Sequence, residues 1–344
     1  MKQTHVLEKP VYIAEWATVA GELESKGALS GKFDIALDDN FYGEENWEHA
    51  ESRMQNSAVK QLLLKASVAA GDIDFLLSGD LQAQCCGSSF GISEFNIPFY
   101  GIYGACSNMA EGLSLGALLL AGGHGGKLLC GTSSHFSSAE RQFRFPNDYG
   151  CFRKPTAQWT VTGSGYCLLS TDNGTPGTAS PTAGGASACP NITAVTTGKI
   201  IDYGQTDAND MGGAMAPAAA DTLRAHFRET ETGPDDYAMI LTGDLGEFGS
   251  GVLRDLMAIS GTPLGDNYLD CGNLIYGEGQ DVDSGGSGCA CSALVLCADI
   301  LPKMRSGEIS GKVLFVGTGA LLSPVSSGQG ESIPSIAHLI EISN

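Results

Sequence analysis

Three short motifs occur twice in this chain, in the same order, and any fold must accommodate that repetition. FLLSGDL (Phe75 to Leu81) is matched by YAMILTGDL (Tyr237 to Leu245), so that Gly243-Asp244 stands where Gly79-Asp80 stood. Ala105-Cys106-Ser107 recurs as Ala290-Cys291-Ser292. KLLCGT (Lys127 to Thr132) recurs as KVLFVGT (Lys312 to Thr318), with Gly317 in the place of Gly131. One match of this length arises by chance. Three in order, at offsets that differ by only about twenty residues, indicate a duplicated supersecondary unit.

Each copy reads as strands alternating with helices. In the first, VYIAEWATV (Val11 to Val19) is a strand. Asn46 caps a helix running to about Ser67, with Trp47, Ala50, Met54, Ala58 and Leu62 near helical spacing. FLLSGDL, IPFYGIY (Ile97 to Tyr103) and KLLCGTSSH (Lys127 to His135) are further strands, with a small-residue helix from Met109 to Gly122 between the last two. A long loop from Phe136 to Trp159 leads to TVTGSGYCLLS (Thr160 to Ser170), which closes the copy. The second copy has a strand over Asn191 to Asp202, a helix over Ala214 to Glu229, the repeated motifs, and a closing strand in SIPSIAHLIEIS. The expected organisation is two β-α-β-type halves, 1–175 and 191–344, related by a pseudo-twofold. Between them, 176–190 is rich in Gly, Pro, Ala, Ser and Thr and reads as a flexible insertion. Such alternation predicts an α/β fold of largely parallel sheets covered on both faces. Sites in these folds lie at the carboxyl ends of strands, here where the halves meet.

Composition narrows the function classes. With 19 Lys and Arg against 39 Asp and Glu, the net charge of −20 argues against nucleic acid as a partner. Eleven Cys in 344 residues do not read as a secreted disulfide framework, and neither Cys85-Cys86 nor Cys289/Cys291 has zinc-site spacing. Free thiols are expected. No signal peptide is evident, and no apolar run reaches the roughly 18 residues that span a bilayer.

GACSN (Gly104 to Asn108) is the stretch on which the chemistry turns. A thiol at a helix N-terminus faces unpaired N–H groups and the macrodipole, both of which favour a thiolate. The alternative is a small buried hydrophobe. The topology sets the Cys106 turn, the His135 strand exit, the Asp244 turn and Cys289 to Cys291 in one neighbourhood.

A duplicated α/β chain with a Cys at the mouth of a buried helix resembles the thiolase superfamily of condensing enzymes. SSHFSSAERQFRFP (133–146), DMGGAMAPAAADT (210–222), GGSGCACSA (285–293) and ESIPSIAH (331–338) are similar to the stage V sporulation protein AD family, over nearly the whole chain. The resemblance implies a thiolase-like fold layered α-β-α-β-α. It further implies a sporulation role in dipicolinic acid (pyridine-2,6-dicarboxylate) uptake into the forespore, by binding rather than turnover. The setting would be the cytoplasmic side, peripheral to the membrane beside other stage V sporulation channel proteins, and relatives of this fold commonly form homodimers.

The residues themselves separate binding from catalysis. Condensing enzymes of the resembled superfamily pair the Cys with a second-half His, commonly at the repeated turn that here carries Asp244. The second half has only His226, inside a helix, and His338, in the closing strand. An ionised acid cannot donate to an oxyanion, so the acyl-transfer set reads as incomplete and no catalytic residue is expected. For binding, Arg141, Arg144, Arg153 and Lys154 crowd into the loop after His135, although Lys and Arg are scarce elsewhere. Guanidinium groups suit bidentate capture of carboxylates, and Arg141 and Arg144 are the first choices. Phe143 and Phe145 alternate with them and could stack on a ring. The expected ligand-binding set is Cys106, Ser107, His135, Arg141, Arg144, Asp244, Ser287 and Cys289. No cofactor or metal is expected; calcium enters only as part of the ligand, with Asp38, Asp39, Glu44 and Glu45 a solvated rim it could visit. Cys106-dependent acyl-CoA transfer and a purely structural scaffold are the alternatives.

Overall fold

The computed structural model describes residues 2–143, 153–173 and 189–344. Arg144, Phe145 and nearly all of the 176–190 segment lie outside the described residues. The chain opens with β1 (Thr4–Ala20), α1 (Glu22–Ser25), β2 (Ile35–Ala36) and α2 (Trp47–Ala66). It continues through β3 (Phe75–Gly79), α3 (Cys86–Ile92), β4 (Phe99–Gly101), α4 (Asn108–Ala121) and β5 (Lys127–Ser134). Then come α5 (Phe136–Phe143), β6 (Trp159–Thr160) and β7 (Gly163–Ser170). After residue 189 follow β8 (Asn191–Thr196), α6 (Met211–Thr230), β9 (Met239–Thr242), α7 (Gly246–Ile259), β10 (Tyr268–Asp270) and α8 (Cys271–Leu274). The last elements are β11 (Gly286–Ser287), α9 (Cys289–Val295), α10 (Leu301–Ser306), β12 (Val313–Ala320), α11 (Pro324–Gly328) and β13 (Ser335–Ser343).

One large sheet runs in the order β10-β9-β12-β13-β8-β1-β7-β5-β3-β4, with β2 attached to β1. Outward from the antiparallel β1–β8 pair, residues 4–170 supply β1-β7-β5-β3-β4 and residues 191–343 supply β8-β13-β12-β9-β10. The sheet is mixed rather than largely parallel. Strands β3, β4 and β5 are parallel to one another, as are β9, β10 and β12, whereas β7 and β13 run against their neighbours. The reason is local: β5 leaves into α5 and β6, and β12 into α11, without a return across the sheet. Each next strand therefore enters at the end where its predecessor left.

Helices cover the sheet in layers. α2 packs on β1, β5 and β7, and α6 on β12 and β13, while α4 and α9 lie between the two limbs of the sheet. The result is the five-layer α-β-α-β-α arrangement of the thiolase-like fold. The middle layer demands small residues. A Cβ at Gly116 of α4 would lie 2.8–2.9 Å from side-chain atoms of Cys130, Leu128 and Leu169. α2 starts where expected: Asn46 accepts the His49 N–H at 2.9 Å, and Ser67 ends the helix in the left-handed region. The long loop expected after His135 instead begins with a helix, α5. Phe136, Ala139 and Phe143 make an i, i+3, i+7 stripe that gives it an inward face. α7 likewise occupies a stretch to which the sequence reading assigns no helix; Gly249, Leu253 and Met257 form its buried stripe. The ten described cysteines are free thiols. Among the described residues no helix is long and apolar enough to cross a membrane.

Candidate functional site

Cys106 lies in the turn between β4 and α4. The turn is tied by Ser107 Oγ donating to the Gly104 carbonyl (2.7 Å) and by the Gly104 N–H donating to Asn108 Oδ1 (2.6 Å). Ala105 takes a left-handed φ of 51°, a strained conformation for a residue with a Cβ, and presents Cys106 at its crest. β12 supports the turn from the other side with bare backbone, since a Cβ at Gly319 would collide with the Gly104 carbonyl. The strand carrying the repeated KVLFVGT thus has glycine at 319 because the Cys106 turn rests on it.

Asp244 meets the thiol. Its Oδ2 accepts the Gly288 N–H (2.9 Å) and Ser287 Oγ–H (3.1 Å), and its Oδ1 accepts Thr318 Oγ1–H (2.8 Å). Burial pushes this carboxyl up to about 6, against those hydrogen bonds. Burial also pushes Cys106 well above the ordinary thiol range, and the neighbouring Asp244 charge pushes the same way. The helix N-terminus expected to favour a thiolate is outweighed, and Cys106 is a neutral thiol beside the Asp244 carboxyl. Behind Asp244, Asp270 accepts the Leu245, Gly246 and Gly272 N–H groups at 2.9 Å each and fixes the turn. Asp80, in the matching turn of the first half, accepts from Ser88 and Gln82 beside Glu51. Burial raises both of those carboxyls, and the Asp80 charge raises Glu51 further.

Two residues of backbone join the walls. β6 and β11 pair in parallel, Trp159 with Gly286 and Thr160 with Ser287, each strand from a different half. Gly288, at φ 94°, then turns the chain into α9. Cys289 at the start of α9 is fully buried; its thiol donates to the Ala105 carbonyl (3.1 Å) and accepts from Asn108 Nδ2 (3.4 Å).

A cleft opens over Cys106, with about 420 Å³ of atom-free space counted to its mouth. Its walls are mostly apolar, with Leu81, Tyr103, Phe143, Met211 and Leu322 prominent and Glu140, Ser287 and Thr160 the polar exceptions. Cys106 and Ser287 of the expected set line it, and Asp244 and Cys289 lie directly beneath. Ser107 is buried in the turn and faces its own backbone. His135 is near but turned away: its Nε2 donates to the Asn40 carbonyl (2.8 Å), its Nδ1 accepts the Ser137 N–H (3.1 Å), and burial lowers its basicity. Arg141 pairs with Glu48 on the surface, over the Trp47 ring, and does not line the cleft. Arg153 pairs with Glu140 (3.0 Å), and Lys154 with Asp207 (2.5 Å). Among the described residues no histidine lines the cleft. His226 is a core residue held by Thr196 and Tyr237 (2.9 Å each), and burial takes His338 down to about 4. Of the supposed rim, Asp39 caps its own loop and Glu44 pairs with Arg53. Among the described residues no cluster of three His, Cys, Asp or Glu could hold a metal ion.

Sequence reasoning missed Tyr103, Met211 and Leu322 as walls, and gave Phe143 only as a ring beside the arginines. Phe143 alone carried a further signal, through the α5 stripe; the others reach the cleft only by topology.

Solved structures share this architecture. A variant of Xanthomonas campestris OleA superposes with a TM-score of 0.61 at 12% identity, covering 99% of this chain and 100% of that one. The 3-oxoacyl-[acyl-carrier-protein] synthase III of Aquifex aeolicus VF5 gives 0.54 at 10% identity, covering 99% and 100%. These likenesses establish the thiolase-like fold. In sequence, the stage V sporulation protein AD of Bacillus subtilis (strain 168) is 43% identical over 337 residues, 98% of this chain and 95% of that protein. The family model of stage V sporulation protein AD (SpoVAD) matches residues 1–343. The duplicated chain, with its thiol facing an acid rather than a base, therefore belongs to the stage V sporulation protein AD family, a sporulation family built on the thiolase-like fold.

Proposed function

We propose that the cleft over Cys106 binds dipicolinic acid, free or as its calcium chelate, without turning it over, as part of loading the forespore. The observation that carries the non-catalytic reading is the buried Asp244 carboxyl, bonded to Ser287 and Gly288 of the cleft that Cys106 lines. A nucleophilic thiol needs a base or a cation beside it; an acid does the reverse, stabilising S–H and repelling S⁻. Among the described residues no histidine lines the cleft to take the missing part. A narrow, mostly apolar slot with Ser287 and Thr160 hydroxyls suits a flat aromatic ring carrying polar groups at its edge.

Other stage V sporulation proteins at the inner forespore membrane are the expected partners, with this chain peripheral. A homodimer is also expected. It is supported by β4, the short edge strand, which exposes Phe99 and Tyr100 with one backbone edge unpaired in the sheet. Titration calorimetry with dipicolinate, with and without calcium, should give saturable one-site binding that is lost in Ala320→Phe, which places a ring in the cleft, when that variant melts as the wild type does. No saturable binding by the wild-type chain in either condition would overturn the reading. The fold neighbours raise the competing reading of acyl transfer by Cys106. Intact-mass spectrometry after exposure to acyl-CoA should show no adduct; one that disappears in Cys106→Ser would replace binding with catalysis.

A further inference from the structure

Neighbouring residues of β6 serve different spaces. Thr160 lines the Cys106 cleft, whereas Trp159 lines a second cavity, with about 550 Å³ of atom-free space counted to its mouth. Leu23, Phe136 and Trp159 give this cavity apolar walls, and Glu22, Glu24 and Lys26 bring its charges. Lys26 is already engaged, its Nζ 2.7 Å from Glu22 Oε1. Glu24 is not. Its carboxyl is buried, at 1% exposure, with no Lys, Arg or His paired to it among the described residues. Oε1 accepts the Tyr276 hydroxyl at 2.6 Å and the Thr162 N–H at 3.0 Å. Oε2 has no hydrogen-bond partner among the described residues. Burial pushes this carboxyl up to about 7, against the two hydrogen bonds it accepts.

Such a carboxyl is costly in either state. Ionised, it is a buried charge without a counter-charge; protonated, it leaves an O–H with nothing to donate to. An ammonium group removes both costs, since it brings the counter-charge and a donor for the bare oxygen. We propose that this cavity is a second ligand site, separate from the Cys106 cleft, which takes a small primary ammonium with Glu24 as its counter-ion. An alkyl or aryl stem would lie on Leu23, Phe136 and Trp159. Other ligand classes fit less well. Lys26 is tied to Glu22, and the Arg153 guanidinium over the Trp159 ring is answered by Glu140 at 3.0 Å, which leaves little to attract an anion. Among the described residues no group of three His, Cys, Asp or Glu is present to hold a metal ion. The net charge of −20 favours the approach of a cation.

Calorimetric titration of the full chain with butylamine, butan-1-ol and butyrate tests it. Butylamine should bind saturably, and the uncharged and anionic analogues about tenfold more weakly or not at all, as loss of a charge-assisted pair does. Glu24→Gln keeps the shape of the side chain and an acceptor for Tyr276 and Thr162, and should lose butylamine binding. The wild type carries an independent check that holds even if this variant fails to fold. The charged and titratable groups around Glu24 are Glu22 and Lys26 in its own segment, Tyr276 after α8, and Arg153 over the Trp159 ring. Burial, ahead of the Glu24 charge, holds Tyr276 well above the ordinary tyrosine range, so it keeps its proton. Glu24 holds its proton to about pH 7 in the free chain and gives it up on pairing with an ammonium. Titrations at pH 6 in buffers of different ionisation enthalpy should therefore show close to one proton released per butylamine bound, and little release at pH 8. Absence of saturable butylamine binding, equal affinity for butan-1-ol, a preference for butyrate, or no proton release at pH 6 would each overturn the proposal. None of these outcomes bears on dipicolinate in the Cys106 cleft, which is titrated separately.

Discussion

Replacing Asp244 by Asn tests the feature that separates this cleft from a condensing-enzyme site. The carboxyl is fully buried and raised from 3.8 to about 6. In the unfolded chain it ionises near pH 4, while in the folded chain it holds its proton to about pH 6. Between those values the folded state binds more protons, so this group's contribution is intact below pH 4 and is lost as pH rises through 6. The rise from 3.8 to about 6, at about 1.4 kcal/mol for each pH unit, corresponds to about 3 kcal/mol, of which most, about 2–3 kcal/mol, is lost between pH 4 and pH 7.5. Asn cannot ionise. Whatever its altered hydrogen bonds to Gly288, Ser287 and Thr318 cost, that cost is the same at both pH values and cancels in the comparison. Urea unfolding at pH 4 and 7.5 should therefore show Asp244→Asn gaining about 2–3 kcal/mol on the wild type at the higher pH. Alkylation of Cys106 at pH 8 should speed up in the same variant, because the repelling charge is gone. Wild-type and variant stabilities that run parallel from pH 4 to 7.5 would refute the account of a buried carboxylate pressed against a thiol.

Gly319→Ala should cost roughly 2–4 kcal/mol in denaturant unfolding, because the new Cβ meets the Gly104 carbonyl and the Cys106 turn must shift. Asn46→Ala removes the α2 cap and should cost about 1 kcal/mol without changing ligand titrations. In the proposed homodimer, Tyr100→Asp on the exposed edge strand should shift sedimentation from dimer to monomer while thermal stability at high dilution is kept; a wild-type monomer would remove the dimer, and an unchanged dimer would move the interface elsewhere.

Much of the fold was legible because duplication is a statement about order, and order survives where single residues mislead. The repeated GD turns, ACS runs and KLLCGT strands found their places without any knowledge of pairing. Strand direction was not legible: β7 and β13 run antiparallel because of what happens between strands, in α5 and α11, and turn residues there mark a break without telling at which end of the sheet the next strand enters. In the site, the Asp244 turn was marked by its repeat, and topology alone set it near Cys106 across the two halves of the chain. His135 and Arg141 looked functional by position along the chain. The first is satisfied by the Asn40 carbonyl and the second by Glu48, contacts with a distant loop and helix that no local pattern encodes. Glu51 was a readable clue left unread. It shares the inward stripe of α2 with Met54, Ala58 and Leu62, and an acid on an apolar stripe signals a buried network.

The pairing of β6 with β11 bears on how anything gets in. Trp159 N–H on the Gly285 carbonyl, Val161 N–H on Ser287 and Ser284 N–H on Ala157 lace the two halves together by main chain, at 2.8–2.9 Å. Gln158 Nε2 adds bonds to the Asp244 and Gly286 carbonyls across the same seam, and swinging the halves apart would break all of these at once. Admission to the cleft is therefore a matter of side-chain movement at its rim, by Phe143, Tyr103 and Met211, rather than of hinge closure. Binding should accordingly be fast and leave the radius of gyration unchanged.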